Sequence, residues 1–168
     1  MRKLLLLVLF WLSSDAIAYC FNEAGLSYGV DPVLLVAICD GESSLNPLAQ
    51  NINYKKGIAV SEDMGLCQIN STWLKKLKPY NITRETLYLD PCVNLKVGAW
   101  ILTSGCDLKN MSWDCVGVYN AGPRAENAPI RYKYSLKVFK RYQKLKYDKS
   151  ELAKTLNKIP LQYRQKGG

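Results

Sequence analysis

The chain contains no histidine, and that absence decides much of its chemistry. A Ser-His-Asp triad, a Cys-His pair and a His-ligated metal site are excluded, so acid–base work falls to carboxylates, Tyr, Lys or Cys. Neither a Gly-x-x-x-x-Gly-Lys phosphate loop nor a Gly-x-Gly-x-x-Gly fingerprint occurs, and nothing supports nucleotide binding. One carboxylate stands out by its position. Leu34, Ile38 and Glu42 are spaced i, i+4, i+8, and Leu35, Ile38, Glu42 and Leu45 share the same helical stripe. Glu42 thus falls on the core-facing side of a helix and in its last turn. Loss of solvent there disfavours the charged form and raises the pKa. The negative end of the helix dipole acts in the same direction. A raised carboxyl is what a general acid near neutral pH requires. The competing reading is a Glu that snorkels to the surface or pairs with a buried base.

The elements that must position Glu42 are mostly helical. Asp31-Pro32 is an N-cap followed by Pro at the first helical position, and the helix runs to about Leu45, where Asn46-Pro47 stops it. A short helix is expected over Cys20–Tyr28. Residues 48–63 read as a loop or small hairpin, and Gly65–Ile69 as a short strand or extended segment. Ser71 is expected to cap a short helix through Leu77. Asp90-Pro91 repeats the Asp-Pro start, with Val93, Val97, Trp100 and Ile101 on one face and Gly105 as the stop. Ser112 opens a helix ending near Ala121-Gly122-Pro123. A basic helix covers about 131–147, with Leu136, Phe139 and Tyr142 on its apolar side. The 168 residues, 48% apolar and 22% charged, fit one globular domain. The fold class is mainly α, a single helical domain with a small strand or hairpin region near 50–70.

The residues around Glu42 form ordered words. Glu42-Ser43 with Asn46-Pro47 is followed by Asp63-Met64-Gly65-Leu66-Cys67-Gln68-Ile69-Asn70, and later by Val118-Tyr119-Asn120-Ala121-Gly122-Pro123. This set resembles the soluble lytic transglycosylase domain of the lysozyme-like superfamily. There, a helix ends in Glu-Ser, a Gly-Leu-Met-Gln segment follows, and Ala-Tyr-Asn-Ala-Gly-Pro closes the site. Within that family the chain is most similar to the small exported members that accompany type III secretion, type IV secretion and pilus systems. Cys20-Phe21 and the Asp90-Pro91-Cys92 run before Gly98-Ala99-Trp100 match them as well. The resemblance spans about 20–125.

The resemblance implies an α+β lysozyme-like fold and a peptidoglycan lytic transglycosylase. Glu42 would protonate the glycosidic oxygen between N-acetylmuramic acid and N-acetylglucosamine. It would then act as base on the muramoyl 6-hydroxyl, closing a 1,6-anhydro ring. Ser43, Gln68, Tyr119 and Asn120 would contact substrate or orient the acid, with Tyr119 bonded to Glu42 or to the sugar. No metal or organic cofactor is implied. No second carboxylate stands out: Asp40 faces away from Glu42, and Glu62 and Asp63 read as loop residues. Trp100 and Trp113 read as core, and Trp73 as a core residue with sugar stacking as the lesser reading. Two alternatives stay open: a hydrolase on the same fold, and a non-catalytic wall-binding or assembly protein.

Cysteines and charge describe the surroundings. Arg2-Lys3, the apolar run Leu4–Leu12 and Ala16-Ile17-Ala18 read as an export signal cut after Ala18. The apolar run is far shorter than the roughly 20 residues that span a bilayer, so no stable membrane anchor is expected. The export signal points to a periplasmic location. The six cysteines lie beyond the cut, and an even number in an exported chain points to disulfides. With the resemblance in view, Cys20–Cys92 and Cys106–Cys115 are the expected pairs. Cys39 and Cys67 either pair or remain buried thiols. Cys67 stands where the family has Met. Residues 131–168 carry twelve Lys/Arg against two acids, whereas residues 19–130 carry nine against eleven. The chain therefore divides into a signal at 1–18, a domain at 19–147 and a basic, flexible tail at 148–168, patterned only at 151–157, where a turn of helix is expected. The expected partners are peptidoglycan strands and, through the tail, a secretion or pilus apparatus, with no nucleic acid.

Overall fold

The computed structural model describes residues 15–105 and 112–164. Its helices are α1 (Asp15–Tyr28), α2 (Pro32–Ser43), α3 (Leu74–Leu77), α4 (Arg84–Leu89), α5 (Pro91–Ser104), α6 (Trp113–Ala121), α7 (Ala128–Tyr147), α8 (Lys149–Leu156) and α9 (Leu161–Arg164). One antiparallel sheet joins β1 (Gln50–Lys55), β2 (Ile58–Met64) and β3 (Ile69–Asn70) in that order. This is the mainly helical architecture, with a hairpin near 50–70, expected from the residue pattern.

Local chemistry explains the starts and stops. The Asp31 carboxylate accepts the Val33 N–H at 2.9 Å, and Pro32 opens α2. The helix ends at Ser44 in the left-handed region, where the Ser44 N–H reaches Asp40 O at 3.0 Å. Asp90 Oδ1 accepts the N–H groups of Cys92 and Val93 at the start of α5. Asn70, rather than Ser71, caps the turn leading into α3, accepting Thr72 N–H at 3.0 Å. The Ser71 hydroxyl instead accepts the Glu62 N–H at 3.1 Å. Helix α4, which the residue pattern did not reveal, begins in a reciprocal Thr83–Thr86 capping box.

The core is built from Phe21 and Ala24 of α1, Leu35 and Ile38 of α2, Met64, Leu66 and Ile69 of the sheet region, and Leu95, Ala99 and Leu102 of α5. The expected Cys20–Cys92 disulfide ties α1 to α5. Cys39–Cys67, the pairing left open above, is formed and ties α2 to the turn between β2 and β3. Cys106, and with it the expected Cys106–Cys115 pair, lies outside the described residues. So does the expected signal segment through Ser14. Trp100 is partly buried against the core, as expected. Trp113 differs from a core residue: it is 38% exposed and lies edge-on to Phe139 at 4.7 Å.

Residues 148–164, expected as a flexible tail with a turn of helix at 151–157, instead fold back as α8, which contains most of that turn, and α9. Asp148 caps α8 by accepting the N–H groups of Ser150 and Glu151. Arg141 on α7 bonds Asp40 on α2 and Glu151 and Thr155 on α8 at 2.7–2.8 Å. Thr155 and Ile159 are buried. Burial of one Ile side chain contributes about 1.5–3 kcal/mol. The buried positions in this segment are too sparse to make a legible periodic stripe.

Candidate active site

Glu42 sits in the last turn of α2 at the edge of a cleft of about 1030 Å³. The cleft walls come from the hairpin (Asn51, Asn53, Asp63), the β2–β3 turn (Gln68, Ile69, Asn70), Trp73, and the end of α6 (Tyr119, Asn120, Gly122, Pro123). The three sequence words thus converge on one cavity.

The turn carrying Leu66–Gln68 is held from below. Buried Asn94 on α5 donates to Met64 O at 2.9 Å and Leu87 O at 2.8 Å, and its oxygen accepts the Cys67 N–H at 2.9 Å. Gly65 has a φ of 71°. A Cβ there would collide with the Asn94 amide and stand 2.5 Å from Leu87 O. Glycine is required by both conformation and space. From the other side, Ser43 Oγ donates to Leu66 O at 2.5 Å and accepts the Asn46 N–H at 3.1 Å. Ser43 therefore fastens the end of the Glu42 helix to this turn. It is not among the residues of the cleft wall, so of its two expected roles the geometry favours orienting the site over contacting substrate.

Tyr119 lines the cleft, but its hydroxyl donates to Cys67 O at 2.7 Å, not to Glu42. The hydroxyl that reaches the acid belongs to Tyr134 on α7, which donates to Glu42 Oε1 at 2.5 Å. Nothing in the residue spacing marks Tyr134. It meets Glu42 only because α7 packs on α2, 92 residues along the chain. Gln68 lines the cleft with a φ of 53°. Its amide donates to Gly65 O at 2.9 Å and Ala49 O at 3.2 Å, which secures that conformation and leaves its carbonyl oxygen for a ligand. Asn120 is exposed on the cleft wall. Trp73, in the cleft wall, packs edge-on against Trp100 with ring centroids 5.4 Å apart.

Glu62 and Asp63 are strand residues of β2 rather than loop residues. Their side chains have opposite fates, as strand alternation requires. Glu62 turns to Arg84, which donates through Nε at 2.5 Å and through a second nitrogen at 3.0 Å. Arg84 holds the Glu62 carboxyl down to about 2. Asp63 lines the cleft. Its Oδ1 accepts the Asn70 amide at 2.7 Å, and its Oδ2 accepts the Asn53 and Asn51 amides at 2.9 and 3.2 Å. The cleft therefore holds two carboxylates in different settings.

Burial raises the pKa of Glu42, and this effect exceeds the opposing hydrogen bond from Tyr134. The negative charge of Asp63 adds to the rise, and Lys137 works against it. Burial, followed by the charge of Glu42, pushes Tyr134 far above the ordinary tyrosine range, so it remains a phenol donor. Tyr119 is shifted upward in the same way, with Asp63 as a further cause. A carboxyl whose protonated form burial favours, with a fixed donor ready to stabilise its anion, can give a proton and take one back.

Residues 19–142 match the family model described as Transglycosylase SLT domain. The chain is 38% identical over 142 residues to Invasion protein IagB of Salmonella typhi, covering 83% of this chain and 86% of that protein. It is 37% identical over 136 residues to a peptidoglycan-binding-like protein of Escherichia coli O157:H7, covering 79% and 81%. It is 32% identical over 128 residues to Protein IpgF of Shigella flexneri, covering 76% and 82%.

Proposed function

The chain belongs to the transglycosylase SLT domain family and is a lytic transglycosylase, and from that premise we propose its reaction and setting. It cleaves the β-1,4 bond between N-acetylmuramic acid and N-acetylglucosamine in peptidoglycan, with Glu42 as the acid and base of both steps. Protonated Glu42 gives its proton to the glycosidic oxygen, and the bond from that oxygen to muramoyl C1 breaks. The Glu42 carboxylate then takes the proton from the 6-hydroxyl as O6 bonds to C1. A 1,6-anhydromuramoyl end forms, Glu42 is again protonated, and no water is consumed.

The observation that carries this reading is the half-buried Glu42 carboxyl facing the cleft with the Tyr134 hydroxyl on Oε1. That hydrogen bond stabilises the anion left after proton donation. The Asp63 charge opposes the positive charge that develops at C1. Asn120, Trp73 and the free oxygen of Gln68 offer contacts to acetamido and hydroxyl groups. Ser43 and Tyr119 act by holding the Leu66–Gln68 turn.

Asp63 also supports a second reading. Two carboxylates flanking one bond are the equipment of a hydrolase. Against it, the Asn70, Asn53 and Asn51 amides hold both Asp63 oxygens, which occupies lone pairs that a base or nucleophile would need. Digestion of purified sacculi in ¹⁸O-labelled water, read by mass spectrometry, separates the two. Unlabelled anhydro ends support the transglycosylase; an ¹⁸O-labelled reducing end on muramic acid would establish the hydrolase.

The setting is proposed on separate grounds. The basic, apolar and small-residue order of residues 1–18 supports export, and two disulfides suit an oxidising compartment such as the periplasm. Among the described residues no single helix is long and apolar enough to cross a membrane. Similarity to a protein named for invasion supports local opening of the wall for a secretion or conjugation apparatus.

A further inference from the structure

A second concavity lies behind the Glu42–Tyr134 pair, between α2 and α7, with a volume of about 490 Å³. Ala37 and Val138 give it an apolar floor. Gly41 leaves its α2 edge open, since a Cβ there would meet nothing within 4 Å. Lys137, Lys140 and Lys144 form its α7 edge. Their spacing of i, i+3, i+7 places them on one face of the helix.

The lysines have charge to spare. Among the described residues, Lys137 and Lys140 make no ion pair, and Lys144 reaches Glu151 only at 3.4 Å with its side chain 59% exposed. The acid in the groove, Asp40, is already matched by Arg141 at 2.7 Å and Lys158 at 2.6 Å. The groove thus presents a net positive edge above an apolar floor. From Lys137 to Lys144 the helix advances about 10 Å. Alternate side chains of an extended peptide lie about 6.6 Å apart on one face. Carboxylates at i and i+2, or i, i+2 and i+4, therefore span the lysine row. A lipid headgroup layer is flat and does not enter a trough between two helices.

We propose that this groove binds an extended acidic peptide segment of a partner protein, whose alternate carboxylates meet Lys137, Lys140 and Lys144. The inference does not rest on the reaction assigned to Glu42, although Lys137 also bears on the Glu42 carboxyl. It assigns docking to a folded face of α7 and not to a flexible end of the chain.

The test is fluorescence anisotropy of a fluorescein-labelled (Glu-Ala)₅ peptide with the full disulfide-bonded chain. The variant is Lys140→Glu/Lys144→Glu; the control, with the same charge change, is Lys55→Glu/Lys56→Glu at the hairpin tip. Each exposed ion pair contributes a few-fold, so the groove variant should bind about tenfold more weakly and the control less than about twofold. Affinity should fall as salt rises. If the groove variant fails to melt like wild type, Lys140→Gln/Lys144→Gln replaces it with the same expected direction. Equal weakening in groove and control variants would overturn the proposal, because it would mean attraction to net charge alone. No peptide binding at low salt would also overturn it. So would binding to phosphatidylglycerol vesicles, but not to the peptide, that depends on the groove lysines.

Discussion

Tyr134→Phe removes one hydroxyl and leaves the ring that packs between α2 and α7. The lost bond is a 2.5 Å donation to Glu42 Oε1. It favours the Glu42 anion and so holds its pKa below what burial alone would set. A hydrogen bond to a charged partner contributes about 1.5–3 kcal/mol. Its loss leaves burial less opposed and raises the Glu42 pKa further. The step needs protonated Glu42, so activity falls on the alkaline side as Glu42 ionises. The alkaline limb of kcat/KM should therefore move to higher pH in the variant. The maximal rate should drop about tenfold to a hundredfold, because the anion formed on proton donation is less stabilised. The assay is release of soluble muropeptides from sacculi as a function of pH, with thermal unfolding as a check on folding. An unmoved alkaline limb, or one moved to lower pH, would refute the reasoning even if the rate fell.

Other perturbations test the supports of the site. Gly65→Ala should destabilise by about 3 kcal/mol in urea unfolding, since it combines a left-handed backbone with a collision against Asn94 and Leu87. A loss under about 1 kcal/mol would mean the turn relaxes freely. Cys39→Ala/Cys67→Ala opens a link between residues separated by 28 in sequence, and loop-closure entropy puts the loss at about 3.6 kcal/mol. Unchanged stability of the double variant would remove the disulfide from the account. Arg84→Ala releases Glu62 from a pKa of about 2 towards its ordinary 4.5. A depressed carboxylate contributes stability above pH 4.5 that is lost as pH falls towards 2. The Tm deficit of Arg84→Ala should therefore be full at neutral pH and shrink through that window. A deficit independent of pH would contradict the ion-pair explanation.

Much of this site is legible from local signals because local physics dictates it. Asp31-Pro32 and Asp90-Pro91 cap α2 and α5 as their types require, and the apolar stripe of α2 places Glu42 on the side facing the cleft. The three words around Glu42, Gln68 and Tyr119 meet in one cavity. What stayed hidden depends on packing between distant segments. Tyr134 carries no motif; its role exists only where α7 crosses α2. The Tyr119 hydroxyl, expected near Glu42, goes to the Cys67 carbonyl, because the turn it faces is fixed by Asn94 and the disulfide. Asp63 reads as a polar loop residue until strand pairing with Asn70 turns it into the cleft. The segment 148–164 has too few apolar positions to show a period, yet Ile159 and Thr155 are buried and Arg141 binds it to α2.

The central claim is that one carboxylate performs both proton transfers while the other only supplies charge. Glu42→Gln and Asp63→Asn, digested side by side with wild type on purified sacculi, test it most directly, with products identified by mass spectrometry. The account predicts no soluble muropeptides from Glu42→Gln, and anhydro-muropeptides at a reduced rate from Asp63→Asn. Anhydro products from Glu42→Gln, or a loss in Asp63→Asn as complete as in Glu42→Gln, would contradict it.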